Sequence, residues 1–157
     1  EAAPRQTRAR PERPARQGNG AVMAAAGFDH VAITVADVEA TLSWYERLLG
    51  ARRLHHELYL SGQMPIALLQ VGANRISVHA AAAPALPGAR RPTVGSQDLC
   101  FRWDGSVESA LAAVEGAGLE VVLGPVERPT SDGRPGASVY TRDPDGNLVE
   151  LLAPTDG

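Results

Sequence analysis

Apolar and polar residues alternate along Asp29-His30-Val31-Ala32-Ile33-Thr34-Val35, the period of a half-buried strand. The spacing then becomes helical, with Val38, Leu42, Tyr45 and Leu49 on one stripe. Asp37 fits the N-cap of this helix and Gly50 its close. The same succession returns further on. Gln97-Asp98-Leu99-Cys100-Phe101-Arg102-Trp103 reads as a strand, and Ser106 caps a helix that carries Val107, Leu111 and Val114 and ends near Gly118. The two helices align position by position: Val38 with Val107, Glu39 with Glu108, Leu42 with Leu111, Glu46 with Glu115. Strand-like runs follow each helix: Arg52–Leu60, Ile66–Val71 and Arg75–Ala80, then Glu120–Leu123, Ala137–Thr141 and Leu148–Ala153. The chain therefore predicts an α+β fold of two tandem β-α-β-β-β modules joined by an Ala/Pro-rich linker, residues 81–96.

Strand periodicity also sorts the side chains by face. Val31, Ile33 and Val35 face the helix, whereas His30, Ala32 and Thr34 face away. Leu99, Phe101 and Trp103 oppose Asp98, Cys100 and Arg102; Ile76 and Val78 oppose Arg75, Ser77 and His79. Helices on one face and ionisable groups on the other predict a curved mixed sheet lining a cleft, with the helices outside. Superposing the modules places His30 on Asp98 and Ser77 on Glu150. Glu150 is the anomaly: a carboxylate within Leu148-Val149-Glu150-Leu151-Leu152, in a hairpin whose turn is Asp143-Pro144-Asp145-Gly146-Asn147. Burying it unpaired would cost several kcal/mol, so a cation, a metal ion or a proton is expected beside it.

Composition narrows the partners. Residues 1–26 form an Arg/Pro-rich tail with almost no large apolar residue, expected to be solvated and disordered, and Met23 is a candidate true start. Residues 27–154 are expected to be one domain, module one at 27–80 and module two at 97–154. The net charge of −3 gives no general case for nucleic acid or anionic membrane. No apolar run approaches the roughly 20 residues needed to span a bilayer. One cysteine, Cys100, excludes an internal disulfide and fits a cytoplasmic location. Nothing adjacent to it argues for a lowered thiol pKa. His55 and His56 are expected at the surface, and Gly124–Gly136 as a mobile connection.

Three segments in order carry a family resemblance: Asp29–Asp37, Trp44-Tyr45-Glu46-Arg47-Leu48-Leu49-Gly50, and Ser138–Leu151 around the Asp-Pro-Asp-Gly-Asn turn. Together they resemble the vicinal oxygen chelate superfamily of glyoxalase I, fosfomycin and bleomycin resistance proteins and extradiol dioxygenases. Ile76-Ser77-Val78-His79, Gly95–Phe101 and Gly124-Pro125-Val126-Glu127-Arg128 are similar to its virulence-associated and glyoxalase-domain-containing-5-like members. The resemblance implies one divalent metal ion in the cleft and ligands from the first and fourth strands of the modules.

Carried over by position, these are His30, Asp98 and Glu150, with Ser77 at the fourth place. Asp98 departs from a common His and Ser77 from the Glu of glyoxalase I. One His with two carboxylates suits Mn, Fe, Ni or Mg better than Zn. The departures weaken the extradiol dioxygenase reading unless His79 substitutes. Glu150 is the candidate catalytic proton shuttle. His79, Ser77, Arg75, Arg102 and Tyr140 are candidate substrate contacts; the two arginines could instead neutralise Asp98 or Glu150 without metal. The implied function is a metal-dependent lyase- or isomerase-type enzyme acting on a small oxygen-bearing substrate, as a homodimer. The alternative is a metal-independent binding protein of the bleomycin-resistance kind, which an aromatic content of 4% favours less.

Overall fold

The computed structural model describes residue 25 and residues 27–155; the Arg/Pro-rich tail and Met23 lie outside the described residues. The first module runs β1 (His30–Val35), α1 (Val38–Leu49), β2 (Arg52–Leu54), α2 (His56–Leu60), β3 (Ala67–Val71) and β4 (Asn74–Ala80). The second runs β5 (Asp98–Arg102), α3 (Val107–Gly116), β6 (Leu123–Glu127), β7 (Gly136–Arg142) and β8 (Leu148–Pro154). Each module forms its own four-stranded sheet, in the orders β1-β4-β3-β2 and β5-β8-β7-β6. The first strand of each pairs in parallel with the last, and the remaining pairings are antiparallel. Registers correspond as well: Ala32 lies opposite Ser77 in one module and Cys100 opposite Glu150 in the other. The internal duplication is thus a duplication of hydrogen-bonded register.

Local chemistry sets the helix ends. The Asp37 carboxylate accepts from the Ala40 amide at 3.0 Å, and Gly50 closes α1 at φ 62°, a conformation costly for residues with a Cβ. Ser106 caps α3 by accepting from the Ser109 amide at 3.3 Å. Helix α1 packs on β3 and β4, and α3 on β6, β7 and β8, each covering the apolar side of its sheet. The two apolar layers merge into one core. Tyr45 of α1, fully buried, meets Phe101 of β5 edge-on at 6.2 Å between ring centroids.

Two elements differ from the sequence pattern. Only Arg52–Leu54 of the run Arg52–Leu60 is strand. His55 then turns into the left-handed region at φ 51° and a short helix follows. His56 is consequently half-buried, with Nε2 3.3 Å from Glu39 and 3.0 Å from the Arg53 guanidinium. In the second module β6 begins at Leu123, where the strand-like run was expected to end. Its ladder to β7 is irregular between Leu123 and Val126, and it takes in the first part of the segment expected to be a mobile connection.

Candidate functional site

The faces turned away from the helices carry the ionisable residues. On the first module, His30 lies opposite Arg75, Ala32 opposite Ser77 and Thr34 opposite His79. His30 is half exposed, and its Nδ1 is 2.7 Å from the Asp29 carboxylate. A carboxylate only accepts here, so Nδ1 donates, and in the neutral form of the ring Nε2 is the nitrogen with the lone pair. That orientation is the one a metal-bound or proton-accepting imidazole needs. Arg75 also reaches Asp29, at 3.3 Å, and the two contacts, His30 first, hold the Asp29 carboxyl below its ordinary range. Ser77 is buried at 4% exposure, too covered to meet a substrate directly.

On the second module, Glu150 sits between Cys100 of β5 and Tyr140 of β7, its direct cross-strand neighbours. The fully buried Ser138 hydroxyl donates to Glu150 Oε1 at 2.5 Å. That bond fixes one oxygen, and the Cys100 thiol and the Tyr140 hydroxyl also lie against the carboxylate. No ion pair among the described residues includes Glu150: Arg102 lies 3.5 Å from Asp132, and Arg75 pairs with Asp29. The two arginines therefore do not neutralise the carboxylate. Burial, then the Glu150 charge and its hydrogen bond, push the Cys100 thiol up to about 12. Burial, opposed by the Arg128 contact, raises Tyr140, which takes a hydrogen bond from Arg128 Nε at 3.1 Å with the guanidinium 5.9 Å from the ring centroid. Asp98, exposed, shares this face two residues from Cys100.

The chain thus groups Asp98 and Glu150 on one sheet and His30, Arg75, Ser77 and His79 on the other. Among the described residues no three His, Cys, Asp or Glu side chains converge into a set able to hold a metal ion. The two edge strands β1 and β5 border a groove of about 290 Å³ lined by Phe28, His30, Arg75, Leu99 and Cys100. Three contributors escaped the sequence reading: Asp29, Ser138 and Arg128. Ser138 was within reach of it, since it lies two residues before Tyr140 and so on the same strand face. Asp29 precedes His30 directly, but a neighbour's contact with a side chain has no periodic signature. No helix among the described residues is long and apolar enough to cross a membrane.

Known proteins share both sequence and fold. Virulence protein STM3117 of Salmonella typhimurium is 38% identical over 124 residues, 79% of this chain and 81% of that protein. Its crystal structure superposes with a TM-score of 0.76 at 34% identity, covering 85% of this chain and 100% of that one. Glyoxalase domain-containing protein RDO1 of Mycosarcoma maydis is 37% identical over 129 residues, 82% of this chain and 69% of that protein. A mutant of fosfomycin resistance protein FosX from Listeria monocytogenes, complexed with Mn(II) and 1S,2S-dihydroxypropylphosphonic acid, superposes with a TM-score of 0.56 at 20% identity, covering 85% and 94%. That likeness is one of fold alone. Residues 27–151 match the Glyoxalase/Bleomycin resistance protein/Dioxygenase superfamily, and the chain belongs to that family.

Proposed function

We propose that this chain is a divalent-metal-dependent enzyme of the glyoxalase-like lyase or isomerase kind, acting on a small oxygen-bearing substrate. We further propose that its site is completed in a homodimer, His30 of one copy joining Asp98 and Glu150 of a second. The observation that carries this reading is Glu150 itself: a carboxylate in an apolar strand, oriented by a buried hydroxyl and left without a cation. Half-buried and without an ion-pair partner among the described residues, such a group gains from a positive one. The donor types fit a hard or borderline ion: one imidazole with a free Nε2 and two carboxylates. They do not gather within one chain, which is why a second copy enters the reading.

When bound, the ion supplies Lewis-acid polarisation of adjacent substrate oxygens. The chain's own residues do the rest. Asp29 fixes the His30 tautomer. Ser138 holds Glu150 Oε1 and so orients the carboxylate that would take or return a proton. Arg128 steadies Tyr140 beside it.

Metal analysis of protein purified without chelator tests the reading. We expect one equivalent of Mn, Fe, Ni or Mg per chain, and at least tenfold weaker binding in His30→Ala and in Glu150→Ala. Mixing the two variant chains is expected to restore part of the metal, because one of the two sites in a mixed dimer is intact. Absence of metal under metal-replete conditions, with both variants folded, would sink the proposal and favour a metal-independent binding protein. Undiminished metal in both variants would sink the ligand assignment.

A further inference from the structure

The linker between the modules folds back over the first sheet. Pro84, Leu86 and Pro87 roof a cavity of about 250 Å³ whose floor is His30, Thr34 and His79, with Ala32 between them. We propose that this cavity is the substrate-selecting part of the site and takes a small elongated organic acid: one oxygen group at His30, an apolar middle under the linker, and a second oxygen group at His79 and Thr34. This deepens the reading above and rests on it for the His30 end.

Four observations support it. His79 lies opposite Thr34, four residues along β1 from His30, so the two histidine backbones are about 13 Å apart at the usual strand rise. The polar groups are therefore at the two ends of the cavity and not at one point. Between them Ala32 leaves open floor, and the roof is apolar. Among the described residues no Asp or Glu lines the cavity, and at its far end His79 and Thr34 can donate to oxygen. The His30 end, whose Nδ1 is turned to Asp29, relies on the metal of the reading above. Finally, Leu86 is 88% exposed on the cavity rim, a large apolar side chain that gains by covering an apolar ligand segment. The volume lies just below the range of drug-sized sites, which selects a compact molecule.

Calorimetric titration with adipate and with 1,6-diaminohexane, probes of equal carbon count and opposite charge, tests the inference. Adipate is expected to bind at least tenfold more tightly than the diamine. Leu86→Asp and His79→Ala, each checked for folding by circular dichroism, are expected to weaken adipate at least tenfold. Adipate binding no tighter than the diamine, or unchanged in both variants, would overturn it. His79→Ala is expected to keep its metal, so loss of this pocket and loss of the metal site are read separately.

Discussion

Replacing Asp143 with alanine is expected to lower stability by about 4 kcal/mol, on the high side for one residue. Asp143 is only 5% exposed, yet both of its oxygens are engaged. Oδ1 accepts from the amides of Asp145 at 3.0 Å and Asn147 at 2.9 Å. Oδ2 accepts from Asn147 Nδ2 at 2.8 Å and from the Tyr45 hydroxyl at 3.3 Å. Alanine would leave the Asn147 amide, its Nδ2 and the Tyr45 hydroxyl unsatisfied in the interior and the half-buried Asp145 amide without its partner. Each unsatisfied buried group costs about 1–3 kcal/mol. The damage would not stay within the turn. Asn147, fully buried, uses its Oδ1 to hold the Gln97 amide at 2.8 Å, and Asp145 holds the Ala36 amide at 3.1 Å. Tyr45 belongs to the first module, and burial with the facing Asp143 charge drives its phenol far above the ordinary range. This turn therefore adds a polar joint between the modules to their shared apolar core.

A shift of this size corresponds to a melting temperature lower by about 10–15 °C for a domain of this length. Asp143→Asn keeps an oxygen for the two amides and places an NH₂ against the other two donors, so about half the loss is expected. Tyr45→Phe removes one long hydrogen bond, at about 1 kcal/mol. A thermal melt of Asp143→Ala within 3 °C of the parent would show that the turn does not join the modules.

Much of this architecture is legible in the sequence for a physical reason. β4 and β8 bury their apolar side, β1 does so from Ile33 onward and β5 half-buries Leu99 and Phe101, so alternation marks them, and Asp37, Gly50 and Ser106 punctuate the helices by capping chemistry. Periodicity fails where burial does not enforce it. No residue of α2 is buried, so no stripe marks it, and the left-handed turn at His55 has no glycine to announce it. β6 exposes Leu123 and carries a register shift, which removes the alternation that would have set its ends. At the site, His30 and Glu150 stand out because ionisable groups interrupt apolar strands. The supporting bonds do not stand out in the same way. Ser138 reaches Glu150 along a diagonal of the β7–β8 ladder, and the ladder register cannot be read from either strand alone. Nor can pattern reveal whether ligands from two modules converge, since that depends on how sheets pack and not on how strands alternate.

Cys100 offers a direct reading of the Glu150 charge. Its thiol is raised to about 12, first by burial, next by the Glu150 charge and hydrogen bond. At pH 8 a thiol near 8.5 is about one quarter thiolate, whereas one at 12 has about one molecule in ten thousand ionised. The rarer thiolate is intrinsically more nucleophilic, which recovers a factor of roughly 20–50. We therefore expect exchange with the neutral disulfide 2,2′-dithiodipyridine at pH 8 to be about 50–120-fold slower than for the same cysteine in the urea-unfolded chain. The rate should rise close to tenfold per pH unit above 8, as an un-ionised thiol requires. Glu150→Gln removes a negative charge beside the thiol, which lowers its pKa and raises the thiolate fraction, so exchange should quicken by about tenfold. The Cys100 residue reaches the surface, and its access is the same in Glu150→Gln as in the parent. An unchanged rate in folded Glu150→Gln would mean that burial alone sets the thiol, and that Glu150 is not held as an anion beside Cys100. That outcome removes the ground for assigning the carboxylate to a metal.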